Sequence, residues 1–326
     1  MNMNLETVAP RVGHKTLLYS ELVTNLTGIQ ADLAVIGMPF GSAYSPRAYT
    51  NDQSNAPQAL RDLTDRMVRA PEHYDFDIDG PLLQGRKDIR FVDCGDILPS
   101  LTVPGEHYRK MEAAIKELRK GGALPIVLGG DHGITTPVLR GYADEGPITL
   151  VHVDAHLDWR EDVNGVRDGL SSPIRRASEM AHVDKIVQIG LRMQGSARPA
   201  DYQAARDYGA ELITAYELHD IGMDAVLDRI PDGGKYYLSI DADGLDPTIM
   251  PAVDGPAPGG VTFVQARKLI HGLVKKGRVV GMDIVEIQPA KDLPCKLTCV
   301  TAGRLIVNLI GAAIRSGYFD KGRAGA

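Results

Sequence analysis

The sequence is short of several things, and each shortage closes off a class of protein. Only three residues are cysteine, Cys94, Cys295 and Cys299, too few for a disulfide scaffold. Cys295 and Cys299 stand in a CxxxC spacing, but no second pair completes a structural zinc clip. No run of 18 or more apolar residues occurs, so no membrane-spanning segment is expected. The opening MNMNLETVAP has no basic stretch leading into an apolar one. No secretory leader is expected, and a reducing cytoplasm is the expected compartment. Positive charge is also scarce: 36 Lys and Arg against 42 Asp and Glu leave a formal charge of −6. That excludes the basic footprint of a general nucleic-acid binder.

What is present is a regular alternation. Apolar runs at 32–38, 89–94, 124–128, 148–153, 185–190, 211–214, 236–240 and 279–284 are rich in Val and Ile and mostly lack strict alternation. Strands buried on both faces, as in a parallel sheet, read this way. Helical patterns lie between them. Residues 105–120 place Met111, Ala114, Ile115 and Leu118 on one face, and 262–276 repeat Ala266, Leu269, Ile270 and Leu273 behind a candidate cap at Thr262. Residues 298–316 are apolar nearly all round, which predicts a buried helix. About eight strand–helix alternations over 326 residues predict one α/β domain, 1–326, with 1–30 a poorly defined extension. Residues 39–57 read as a long loop of Gly, Ser, Pro, Asn and Asp, and loops of that length are often functional.

In such sheets ligands bind beyond the carboxyl ends of the strands. The unusual residues stand there. IVLGGDHG carries His132, ITLVHVDAHLDW carries Asp154, His156 and Asp158, and YYLSIDADGLDP carries Asp241 and Asp243. Residues two apart in extended chain share a face, so each group can converge. Four carboxylates crowded together repel one another, and two divalent cations would cancel that charge. Mixed carboxylate and imidazole donors suit Mn²⁺ and also Zn²⁺, Ni²⁺ or Fe²⁺.

These motifs resemble those of the ureohydrolases, the arginases, agmatinases and related guanidino-acid hydrolases. The family's GGDH, DAHxD and SxDxDxxDP stand here as Gly129–His132, Asp154–Asp158 and Ser239–Pro247, with Asp93-Cys94-Gly95-Asp96 like its DxGD. The resemblance runs from about residue 32 to about 315. It implies an arginase-like three-layer α/β/α sandwich with a mostly parallel eight-stranded sheet. It also implies a two-metal centre, manganese in most members and nickel in some, and a homo-oligomer, trimer or hexamer, with a hetero-oligomer as alternative. By motif, one metal would take His132, Asp154, Asp158 and Asp241. The other would take His156, Asp154, Asp241 and Asp243. Glu286, after the run VVGMDIVE, matches the glutamate that holds a substrate guanidinium. Asp158 would serve as proton acceptor and relay, and Asp131, His152 and Asp283 as supports.

The implied reaction hydrolyses a guanidino compound to urea and an amine, with agmatine the first candidate. Guanidinobutyrate, guanidinopropionate, guanidine and a substituted guanidine or biguanide follow. A zinc deacetylase-type amidohydrolase and a non-catalytic partner subunit are the alternatives. The chain departs from the family at three places. The histidine about a dozen residues past DAHxD is absent from Gly169-Leu170-Ser171-Ser172-Pro173. The loop Pro251–Pro256 lacks the arginase threonine, so part of the usual guanidinium contact is missing. Trp159 and Arg160 stand where arginases recognise an amino-acid end. They are expected substrate contacts, with Asn55, Tyr44 and Arg47 of the long loop.

Overall fold

A computed structural model describes residues 4–10, 15–45, 51–103 and 105–320. Among these residues nine strands form one sheet: β1 (Glu21–Leu22), β2 (Leu33–Met38), β3 (Phe91–Asp96), β4 (Leu124–Gly129), β5 (Ile148–Val153), β6 (Val183–Leu191), β7 (Glu211–Thr214), β8 (Lys235–Asp241) and β9 (Arg278–Val285). Their spatial order is β1-β3-β2-β4-β9-β8-β5-β6-β7, and every pairing is parallel. Eight of them fall on the eight apolar runs. The ninth, β1, corrects the expected count. It is two residues long, pairing Glu21 with Val92 and Leu22 with Asp93, and two residues carry no periodicity to read.

Helices cover both faces. On one lie α1 (Ala56–Asp62), α2 (Thr64–Met67), α7 (Ala215–Asp228), α8 (Phe263–Lys276) and α9 (Leu297–Arg315). On the other lie α3 (Glu106–Lys120), α4 (Thr135–Arg140), α5 (Pro173–Ser178) and α6 (Pro199–Tyr208). Strand side chains alternate between the two cores: Leu33 and Val35 enter the first, Ala34 and Ile36 the second. Both faces are therefore dry, which is why the strands read as continuous apolar runs. Thr262 caps α8 as expected. Its hydroxyl accepts from Gln265 N at 3.3 Å, and Gln265 Oε1 accepts from Thr262 N at 2.9 Å; such a cap is worth about 1 kcal/mol. Helix α9 has the length and mean hydropathy, 1.7, of a bilayer span, but 83% of that window is buried inside the structure, which is the environment of a core helix.

Residues 15–30, expected as part of an ill-defined extension, are built into the fold. Leu17, Leu18 and Leu26 are buried, and Leu17 N donates to Asp93 Oδ2 at 2.9 Å. The same carboxylate pins α1 to β3. Arg61, fully buried, sends Nε to Asp93 Oδ2 at 2.8 Å, Nη2 to Asp93 Oδ1 at 2.9 Å and Nη1 to Asp96 Oδ1 at 2.6 Å. The DxGD motif is thus a structural ion-pair network.

Candidate metal centre

Four adjacent central strands, β4, β9, β8 and β5, end at one level, with Leu128 opposite Ile284, Asp241 opposite Val285 and Val153 opposite Ile240. The residues that follow these ends form the site. Gly130 lets the first turn form: a Cβ there would lie 2.4 Å from Pro39 O. Asp131 then caps the turn, accepting from Gly133 N at 2.9 Å and Gly41 N at 3.0 Å.

His132 Nδ1 lies 3.3 Å from Asp154 Oδ2, 3.1 Å from Asp158 Oδ2 and 3.1 Å from Asp241 Oδ2. His156 Nδ1 lies 3.5 Å from Asp154 Oδ1 and 3.2 Å from Asp243 Oδ2. All six residues named from the sequence as metal donors meet here, with Asp154 common to both halves. Asp158 adopts a left-handed backbone, φ 48°, and its carbonyl accepts from Ile174 N and Arg175 N at 3.2 Å, satisfying two N–H groups in the first turn of α5.

The donor set fits a pair of divalent cations. His132 Nδ1 and His152 Nε2 lie buried 3.3 and 3.0 Å from Asp154 Oδ2, yet none of the three atoms makes a well-directed hydrogen bond, a cost that an ion bound by His132 and Asp154 would remove. A chain of hydrogen bonds aims the imidazole. Asp283 accepts from Ser239 Oγ at 2.6 Å, Tyr237 OH at 2.8 Å and Thr135 Oγ1 at 2.9 Å. With its proton given to Asp283, Ser239 Oγ accepts from His132 Nε2 at 3.0 Å. Nδ1 is left as the donor atom for a metal.

His152 also approaches the cluster, with Nε2 3.0 Å from Asp154 Oδ2. Gln188 Nε2 donates to Leu157 O and to His152 Nδ1, both at 2.9 Å. That places the His152 proton on Nε2, facing the carboxylate, so His152 orients Asp154 rather than supplying a lone pair.

Without a cation the charges are frustrated. Burial, then the neighbouring Asp243 and Asp154 charges, push the Asp241 carboxyl well above its usual range. Burial and the Asp154 charge raise Asp158 and Asp243 likewise. Against the opposing effect of burial, the surrounding carboxylates raise His132 well above 6.5. The hydrogen bond to Asp243 lifts His156 to about 10. Despite burial, the His152 and His132 side chains beside it hold the Asp154 carboxyl well below 3.8.

Glu286 stands beside this cluster at the end of β9, with φ 64°. Its Oε1 accepts from His132 N at 2.8 Å and its Oε2 from Gln53 Nε2 at 2.8 Å. Gln53, on the turn Asp52–Asn55, was not singled out from the sequence. The long loop was expected at the mouth, but Asn55 was the residue chosen. That short turn sends the two side chains different ways. Gln53 is buried on Glu286. Asn55 is exposed, bonds Asp52 Oδ1 at 3.0 Å and lines a separate cavity with Phe40, Gln58 and Asp96.

Two other expected substrate contacts are corrected. Trp159 is buried, its ring 5.7 Å from that of Tyr208 in the core. Arg160 is engaged by Asp201 Oδ2 at 3.2 Å and lies outside the lining of the cavity beside the site. Tyr44 does come to the histidine-less segment. Its hydroxyl accepts from Ser171 N at 2.7 Å, and Gly169 makes the room, since a Cβ there would lie 2.1 Å from the ring. Arg47 lies outside the described residues.

His156 opens into a cavity of about 590 Å³. Its walls include Leu191, Met193, Gln194, Arg198 and Tyr202, and among the described residues they hold no carboxylate. Arg198 is the exposed cation there. Sequence reasoning passed over it because the 192–199 stretch carries no motif.

Fold and donor set together define an α/β metallohydrolase. The chain matches the family model described as "Arginase family" over residues 31–311. An agmatinase of Salmonella paratyphi B is 32% identical over 286 residues, covering 86% of this chain and 87% of that protein. Proclavaminate amidino hydrolase from Streptomyces clavuligerus superposes with a TM-score of 0.75 at 26% identity, covering 96% of this chain and all of that one. Agmatine ureohydrolase of Thermoplasma volcanium does so at 0.72 and 27%, covering 89% and 92%. The chain belongs to the arginase family, whose members are metal-dependent hydrolases of guanidino carbon–nitrogen bonds and use a binuclear divalent metal site.

Proposed function

We propose that this protein hydrolyses a guanidino compound to urea and an amine, with two manganese ions as first candidate metals and nickel as second. The observation that carries this reading is Glu286. It is a buried carboxylate beside the metal donors, held by two neutral N–H groups and so still in need of a cation. A guanidinium supplies that charge in planar form. Metal ions bound to the cluster would make water nucleophilic at neutral pH. Glu286 orients the guanidinium so that its central carbon faces the cluster. Asp158, with a carboxylate oxygen 3.1 Å from His132 Nδ1, takes a proton from the attacking water and passes it to the departing amine.

The likeness to agmatinases supports agmatine as a candidate substrate. The cavity beside His156 favours a different tail. It offers Arg198 and no carboxylate to an ammonium group, so a guanidino acid such as 4-guanidinobutyrate fits its chemistry better than agmatine does. The test is urea release by Mn²⁺- and Ni²⁺-loaded protein from agmatine, 4-guanidinobutyrate, 3-guanidinopropionate, guanidine and a biguanide. Greater kcat/KM for the butyrate than for agmatine is expected, and the reverse order would reject the cavity argument. Urea from none of them would reject the hydrolase reading and favour a partner subunit.

A further inference from the structure

Gln53 has two polar ends, and only one is used. Its Nε2 donates to Glu286 Oε2 at 2.8 Å, while its Oε1 is buried with no hydrogen-bond partner. The residue as a whole is 5% exposed. With Glu286 ionised, as it must be to hold a cation, its Oε2 is an acceptor and the amide turns its nitrogen there. A buried carbonyl oxygen left unpaired costs about 1–3 kcal/mol, and such orphans in a native fold ask for an explanation. Of the other orphaned atoms at this site, His132 Nδ1 and Asp154 Oδ2 are explained by a metal, and His152 Nε2 faces Asp154 Oδ2 at 3.0 Å. Gln53 Oε1 is tied instead to Glu286, the residue read above as the guanidinium anchor. The loop Pro251–Pro256 lacks the threonine that contributes a guanidinium contact in arginases, so an acceptor is missing from the expected set.

We infer that Gln53 is a second substrate-contact residue: its amide N–H fixes the Glu286 carboxylate while its amide oxygen accepts an N–H of the guanidinium. A guanidinium carries up to six N–H donors around one plane. A carboxylate whose outer lone pairs are already drawn to His132 N and Gln53 cannot meet more than part of them. The carbonyl beside it extends the row of acceptors by one. This rests on the guanidino reading of Glu286 and adds to it.

The test uses the metal-loaded protein and two probes in calorimetry. Guanidinium chloride, at concentrations that do not denature, probes the anchor, and fluoride probes the metals alone. Gln53→Met keeps the length of the side chain and removes both polar ends. It should weaken guanidinium binding about tenfold, the loss of a hydrogen bond to a charged group, and leave fluoride binding and metal content unchanged. Gln53→Glu restores an acceptor and should bind guanidinium closer to wild type than Gln53→Met does. Unchanged guanidinium binding in Gln53→Met overturns the inference. So does a parallel loss of fluoride binding, which marks a merely structural role. Wild-type protein that binds guanidinium but releases urea from no substrate would sink the hydrolase reading and leave the Gln53 contact standing; wild-type protein that does not bind guanidinium overturns both.

Discussion

Two acidic clusters are buried on the same sheet, and they are solved differently. At β3, Asp93 and Asp96 face Arg61. Each end of the guanidinium has an acceptor, and both Asp93 oxygens are taken, by Arg61 together with Leu17 N and Gly95 N. At the ends of β4, β5 and β8, four carboxylates meet imidazoles and backbone N–H groups but, among the described residues, no Lys or Arg ion-pairs with them. The buried Arg192 nearby spends its guanidinium on backbone carbonyls, and buried donor atoms are left over. Burying a charge is costly unless it is paired. The chain carries the cation for the first cluster as one of its own side chains. For the second it must take cations from solution. An acidic cluster with a resident arginine is architecture; one without it is a binding site.

The largest effect that would break this comparison is at Asp154, which serves both halves of the second cluster. Asp154→Asn should strip metal, read by elemental analysis, and lower kcat by about 10³-fold or more, roughly 4 kcal/mol of barrier. Full metal content and activity would mean the cluster is not the site. The opposite pattern belongs to Arg61→Met. It should destabilise the fold by about 3–5 kcal/mol, since it leaves Asp93 buried and uncompensated, while the folded fraction keeps its metal. A small loss of stability there, or a loss of metal from folded protein, would erase the distinction.

The second cluster was legible in the sequence and its surroundings were not, for one physical reason. Asp154, His156, Asp158, Asp241 and Asp243 ride on ends of strands whose register is fixed by two dry faces. The strands therefore deliver these residues to one place, although Asp158 is left-handed and Asp243 lies in the 3-10 turn Ala242–Gly244, so the two-residue spacing located the site without describing its backbone. The same rigidity made eight of nine strands readable and left out only β1, whose two residues have no pattern. The substrate side is built by chain that no sheet disciplines. Asn55 is an expected contact and Gln53 is not, because a short turn between them cannot be resolved from composition. Trp159 and Arg160 follow Asp158 directly, yet the left-handed backbone at Asp158 diverts them, one into the core and one onto Asp201. A leucine-rich amino-terminal stretch looked like an appendage because its partner, Asp93, lies some 76 positions along the chain.

Glu286 is the intermediate case that sharpens the contrast: buried like the others, it has neither an arginine nor a place among the metal donors. In chelated protein, burial and the neighbouring Asp131 charge lift its carboxyl from 4.5 up to about 8. Below 4.5 the folded and unfolded chains both hold this proton. Between the two values the unfolded chain has released it and the folded chain has not. Stability therefore falls as pH rises, by at most about 1.4 kcal/mol per unit for one proton, and this contribution levels off above about pH 8. Neighbouring groups add slopes of their own, so the readout is the difference between chelated wild type and chelated Glu286→Gln in thermal melts from about pH 5 to about pH 9. The wild type should lose stability relative to the variant across that window. Guanidinium chloride, by lending Glu286 the cation it lacks, should reduce the difference. Parallel curves would mean that Glu286 already has a compensating charge, and it would then belong with Asp93 as architecture rather than with the site.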